Sequence, residues 1–179
     1  SNYWAVYHKL DNTDYFVLNT NDASSDAPLW KDTNPTSVYY QTDSSTSVNP
    51  SGETCVAYCF KSVPGFSKIG AYTGNGSSST PMFVYTGFKP KFVIVKNTSQ
   101  TDDWFMHDDK RDGYNDDNEY LFPSSTGVEG TNTNRIRFLS NGFSVPTTDK
   151  SHNVNGNVYA YIAFGQSLVG SNNVIATAR

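Results

Sequence analysis

Gly156-Asn157-Val158-Tyr159-Ala160-Tyr161-Ile162-Ala163-Phe164-Gly165 is the stretch that decides the fold. Its apolar run is too short for a core helix, is bounded by glycines, and is rich in residues that pack well on a pleated surface. It reads as a long apolar β-strand, and Thr54 to Phe60, also too short for a helix and of Thr-Cys-Val-Ala-Tyr-Cys-Phe composition, reads as a strand buried on both faces. The segment Val48-Asn49-Pro50-Ser51-Gly52-Glu53-Thr54-Cys55-Val56-Ala57-Tyr58-Cys59-Phe60 answers His152 to Phe164 at a spacing of 104 residues, Cys55 standing where Tyr159 stands. Two more segments keep nearly that spacing: Trp4-Ala-Val-Tyr-His-Lys answers Trp104-Phe-Met-His-Asp-Asp, and Phe16-Val-Leu-Asn-Thr answers Tyr120-Leu-Phe-Pro-Ser. Three segments in the same order define an internal repeat.

Outward from these runs, strand-like stretches recur between clusters of Gly, Pro, Asn, Asp and Ser. They are Tyr3 to His8, Tyr15 to Leu18, Ser37 to Gln41, Glu53 to Val63, Ile69 to Thr73, Met82 to Thr86, Phe92 to Lys96, Trp104 to His107, Tyr120 to Phe122, Ile136 to Leu139, Gly142 to Val145 and Val158 to Phe164. No ten-residue amphipathic helix interrupts them. The expectation is an all-β fold: an antiparallel β-sandwich, lectin-like or jelly-roll-like, built from two related half-repeats over residues 1–63 and 64–170. Residues 171–179 read as a C-terminal tail, either draped over a neighbour or loosely ordered. The second copy carries Ile69 to Gly76 and Thr86 to Lys96 ahead of its Trp, and the first has no counterpart. With no initiator Met or secretory layout at Ser1-Asn2-Tyr3-Trp4, the reading is that the native N-terminal region is missing and the chain starts partway through the first copy.

The chain has 179 residues, of which 17% are charged, while Ser (21), Thr (18) and Asn (18) make up nearly a third. An aromatic content of 15% supplies the apolar area that so polar a chain needs to fold. A net charge of -4 argues against nucleic-acid binding, which requires clustered Lys and Arg. The apolar runs, such as Phe92-Val93-Ile94-Val95, are far below the ~20 residues that span a bilayer, so no membrane insertion is expected. Within a strand, Cys55 and Cys59 would lie ~13 Å apart, too far for a disulfide. They read as two buried, reduced thiols, which suits assembly in a reducing cytosol.

Few groups suggest chemistry. His8, His107 and His152 have no metal or catalytic spacing and read as structural, His8 and His107 at edge or half-buried positions of the repeated Trp strand. Asp108, Asp112 and Asp116 form the best calcium candidate, but Lys110 and Arg111 interrupt the carboxylates, and a solvated loop with local ion pairing fits better. No cofactor is implied. Aromatic rings set among amides and carboxylates are the mixture that binds sugars, and Trp30, Tyr72, Asn75, Asp112, Tyr114 and Asn115 are the candidate ligand-binding residues. The same residues are what a β-domain uses for its core and turns.

Several quoted runs, taken in order, resemble a repeated module of tailed-phage virion proteins. They are Cys55-Val-Ala-Tyr-Cys-Phe, Gly65-Phe-Ser-Lys-Ile-Gly-Ala-Tyr-Thr-Gly-Asn-Gly, Val84-Tyr-Thr-Gly-Phe-Lys-Pro-Lys-Phe-Val-Ile-Val-Lys, Trp104-Phe-Met-His-Asp-Asp-Lys-Arg-Asp-Gly-Tyr, Phe138-Leu-Ser-Asn-Gly-Phe and Tyr159-Ala-Tyr-Ile-Ala-Phe. The resemblance implies a lectin-like sandwich without catalysis, assembled in the host cytoplasm and carried on the virion surface in tail fibres, appendages or capsid decoration, often in marine and cyanobacterial phages. The expected partners are a host cell-surface glycan or other virion proteins, with the module present as a homo-oligomer or symmetric array. Recognition is expected from Asn19 to Lys31, Gly74 to Thr80 and Asp108 to Glu119. The alternative is a decoration or appendage protein docked on other virion subunits, and a polysaccharide-degrading enzyme is the last choice.

Overall fold

Val158 to Gly165 lies at the centre of the molecule. In the computed structural model, which describes residues 3–111, 119–131 and 134–165, there is no α-helix among the described residues and the order of strands is all β. The strands are β1 (Ala5–His8), β2 (Asp11–Val17), β3 (Ser25–Asp26), β4 (Ser67–Thr73), β5 (Met82–Tyr85), β6 (Pro90–Asn97), β7 (Trp104–Asp108), β8 (Arg137–Leu139), β9 (Gly142–Val145) and β10 (Val158–Gly165). They form three antiparallel sheets with orders β1-β2-β3, β4-β10-β6-β7 and β5-β9-β8. The domain is therefore all-β and sandwich-like.

Alternation along the strands explains the layers. Val93 and Val95 of β6 and Tyr159, Tyr161 and Ala163 of β10 turn one way, where they meet Val84 of β5, Phe138 of β8 and Phe143 and Val145 of β9 in one buried cluster. The other face of the same sheet meets the β1-β2-β3 layer. There Trp104 Nε1 donates to Val17 O at 2.9 Å, and the Phe16 ring packs edge-on to Trp104 at 6.1 Å. Lys96, cross-strand from Trp104, is fully buried and its Nζ donates to the carbonyls of Asn21, at 3.1 Å, and Asp102. One side chain thus ties the first layer to the second.

Several expectations are corrected. Ser37 to Gln41 forms no strand, and Tyr120 to Phe122 contributes isolated bridges, Met106 with Leu121 and Tyr120 with Gly130. Glu53 to Val63 is no buried strand: residues 53–62 belong to no sheet and are exposed, and a single bridge at Val63 joins them to Ser67. The matching sequence patterns therefore do not produce two matching half-units. A strand exists only where neighbours take up its N–H and C=O groups, and β10 has two neighbours where Glu53 to Phe60 has none. With that segment outside, Cys55 and Cys59 are free, exposed thiols instead of buried ones. Two histidines move the other way: His8 is buried and His107 completely so, as is His152. The expected tail at 171–179 lies outside the described residues.

Candidate interaction surface

Two strongly shifted imidazoles, His107 and His152, meet in a buried polar hub. β7 carries Phe105 and His107 inward, and the turn before β10 brings Ser151 and His152 against them. Arg135 stacks over Tyr120 at 4.5 Å and Phe105 at 5.0 Å, lies 3.2 Å from Asp149, and donates to Ser151 Oγ at 2.8 Å. Ser151 Oγ donates to Asp149 Oδ1 at 2.7 Å and lies 2.5 Å from His152 Nδ1, while the Nε2 atoms of His152 and His107 are 3.0 Å apart. One proton arrangement fits them all. His152 carries its proton on Nδ1 and gives it to Ser151, His107 carries its own on Nε2 and gives it to His152, and His107 Nδ1 keeps a bare lone pair, matching its lack of a partner. Burial, with Arg135 nearby, lowers His107 to about 3, and burial with His107 and Arg135 nearby holds His152 well below the usual imidazole range. Both rings are neutral. The two imidazoles are buried, while Arg135 and the 39% exposed Asp149 carry the hub to the surface.

The residues singled out for sugar binding are not brought together. Trp30 is buried, edge-on to Tyr7 at 5.9 Å. Tyr72 is a core residue that stacks on Tyr159 at 5.1 Å and donates its hydroxyl to His152 O at 2.9 Å, so neither of these rings offers a face to a ligand. Asn75 spends its polar groups on its own loop and on Asn153 of the turn before β10: N–H to Asn153 Oδ1, Nδ2 to Thr80 O, and Oδ1 accepting from Ser77 N and Asn153 Nδ2. Asp112, Tyr114, Asn115 and Asp116 lie outside the described residues. Asp108, first of the calcium candidates, accepts from the N–H groups of Lys110 and Arg111 and pairs with the Arg111 Nε at 2.8 Å. No group of three His, Cys, Asp or Glu able to hold a metal occurs among the described residues.

What the fold does expose is an aromatic platform on β5. Val84 turns into the core, so its neighbours Phe83 and Tyr85, two residues apart, share the solvent face, 45% and 63% exposed. Across the sheet Phe83 pairs with Ser144 and Tyr85 with Gly142, and Ser144 pairs in turn with Arg137. A Cβ on Gly142 would sit 2.1 Å from Val84 O and 3.2 Å from the Phe83 ring. Glycine therefore gives the flat ground on which that ring rests. The stiffened loop of Asn75, Ser77 and Thr80 runs through Pro81 directly into β5. Elsewhere an open cleft of about 390 Å³ between β2 and the start of β10 is lined by Leu10, Asp11, Asp14, Ser24, Thr98 and Ser99 among others. Thr13 donates backbone and side-chain hydrogen bonds to Asp11, which lower its pKa and keep it an ionised acceptor.

The family model for a domain of unknown function, DUF7483, matches residues 1–167. The chain belongs to the DUF7483 family. No curated protein and no solved structure matches it. In this DUF7483 domain the platform was half legible in sequence. Tyr85 stands among the tyrosines near polar loops, but Phe83 reads as one more strand residue. The alternation Met82-Phe83-Val84-Tyr85 leaves open which pair faces the core, and only the sheet on one side of β5 decides it.

Proposed function

We propose that this domain is a non-catalytic recognition module of a phage virion surface, binding host-cell glycan through Phe83 and Tyr85 and the adjacent Asn75 to Thr80 loop. The observation that carries the reading is two exposed aromatic residues on the same face of a strand whose opposite face is held in the core through Val84. Aromatic faces cover the apolar faces of sugar rings, and Ser144, cross-strand from Phe83, adds a hydroxyl of the kind that pairs with sugar hydroxyls. The sequence resemblance supports the virion setting. Copies arrayed by particle symmetry would multiply weak single-site binding into useful avidity.

A glycan array and host-cell binding assay, run with the wild type and with the double variant Phe83→Ser, Tyr85→Ser, tests this. Binding by the wild type and its loss in a folded variant is the expected result. Equal binding by both overturns the platform as the site. Silence of the wild type on glycans and cells alike would instead favour a decoration or appendage role, docked on other virion subunits.

A further inference from the structure

Thr54-Cys55-Val56-Ala57-Tyr58-Cys59-Phe60-Lys61 has the composition of an interior strand and the surroundings of a loop. Val56, Tyr58 and Phe60 are 67%, 70% and 61% exposed. Among the described residues, no backbone N–H from Thr54 to Ser62 finds a backbone acceptor. An exposed apolar stripe and a run of backbone N–H groups without backbone acceptors are each features that folded domains ordinarily cover. Here one segment carries both, with its Phe60 ring edge-on to the Phe164 ring at 5.9 Å and its Tyr58 ring against Trp4.

The repeat indicates what covers it. In the second unit the equivalent strand, β10, is paired antiparallel with β4 on one side and β6 on the other. In the register of the repeat, Cys55, Ala57 and Cys59 take the places of Tyr159, Tyr161 and Ala163, and Val56, Tyr58 and Phe60 those of Ala160, Ile162 and Phe164. A second feature marks the same spot. In the second unit β6 stands between β10 and the Trp104 strand, whereas the rings of Trp4 and Tyr58, their counterparts in the first, meet directly at 6.1 Å. In the first unit the residue before β1 and the apolar segment touch through their rings, where the second unit has a strand between their counterparts.

We propose that Thr54–Lys61 is the central strand of an incomplete four-stranded sheet, and that strands of the β4 and β6 kind from an adjoining repeat unit complete it, one antiparallel on each side. A second copy of this chain is the poorer occupant, because its β4 and β6 are already bonded to their own β10. Strand addition of this kind satisfies the backbone and, through the alternating side chains, covers both faces.

The test places a copy of Pro64–Asp103 directly in front of Trp4, so that Trp4 follows it as Trp104 follows the original. Reaction of Cys55 and Cys59 with a thiol reagent and hydrogen exchange over residues 54–61 are then measured. The fusion is expected to slow thiol reaction on the order of a hundredfold and to protect the segment's amides, since a strand buried on both sides reacts only by opening. A control fusion with Val93→Asp and Val95→Asp in the added copy is expected to lose that protection. Equal reactivity in fusion and parent overturns the proposal, and so does protection of the unfused chain that grows with its own concentration, which would assign the surface to a second copy. Should the fusion fail to fold, a peptide of Pro90–Asn97 sequence added to the unfused chain decides: saturable thiol protection supports the proposal, and none overturns it.

Discussion

The Nε2 atoms of the fully buried His107 and His152 lie 3.0 Å apart, one ring donating its proton to the other. The geometry has room for one shared proton and none for a second charge, because Arg135 already stacks on the same aromatic rings. The pair therefore couples stability to pH. His107, lowered to about 3, and His8, lowered to about 4 by burial and Lys9, stay neutral in the folded chain while their unfolded counterparts titrate near 6.5.

Between roughly pH 6.5 and 4 the unfolded chain binds more protons than the folded one, so stability is full above that window and falls as the pH drops through it. Each excess proton contributes a slope of at most ~1.4 kcal/mol per pH unit. Urea unfolding from pH 8 to pH 4 is expected to show this fall, and a folded His107→Gln variant a shallower one. A flat profile in the wild type would contradict the hub as described.

Lys96 gives the opposite edge of the pH range. Burial lowers it to about 8 despite the nearby Asp102 and Asp103, against 10.5 unfolded, so above pH 8 the unfolded chain again holds the extra proton. Stability is expected to rise from pH 8 to about pH 9.5, before tyrosine ionisation intervenes, and Lys96→Met is expected to remove the rise. Unfolding midpoints across that interval read it directly.

Trp104→Phe keeps a ring against Phe16 but removes the only donor to Val17 O that this contact supplies. A buried carbonyl left unpaired costs ~1–3 kcal/mol. Because the bond joins two layers, hydrogen exchange is expected to quicken in β1 and β2 first and least in β10. Uniform acceleration everywhere would refute a local tether.

Asn153, completely buried, holds the Asn75 loop to the turn before β10 by donating to Asn75 Oδ1 at 3.0 Å and Thr147 O at 2.7 Å and accepting from Asn75 N at 2.8 Å. Asn153→Ala is expected to cost ~1–3 kcal/mol for each buried group it leaves unpaired. The loop beside the Phe83 and Tyr85 platform should loosen with it, measurable as proteolysis between Ser77 and Thr80. Unchanged stability would sink this assignment.

Sequence alone determined the all-β character and the identity of most strands: period-two alternation, β-branched and aromatic runs, and Gly, Pro and Asn at their ends are local signals that survive without a partner. The recurring segments are likewise written in the chain, but side-chain order alone did not make them two matching half-units. Tertiary structure decided which copy of an apolar run becomes a strand, since Val158 to Gly165 and Glu53 to Phe60 differ less in pattern than in the neighbours available to bond them. It decided burial in the same way. Tyr72 and Trp30 went inside, Cys55 and Cys59 outside, and His107 met His152 across 45 residues, because each position depends on what another part of the chain packs against it. The platform of Phe83 and Tyr85 follows that rule too: a strand offers two faces, and only the second sheet chooses which one water sees.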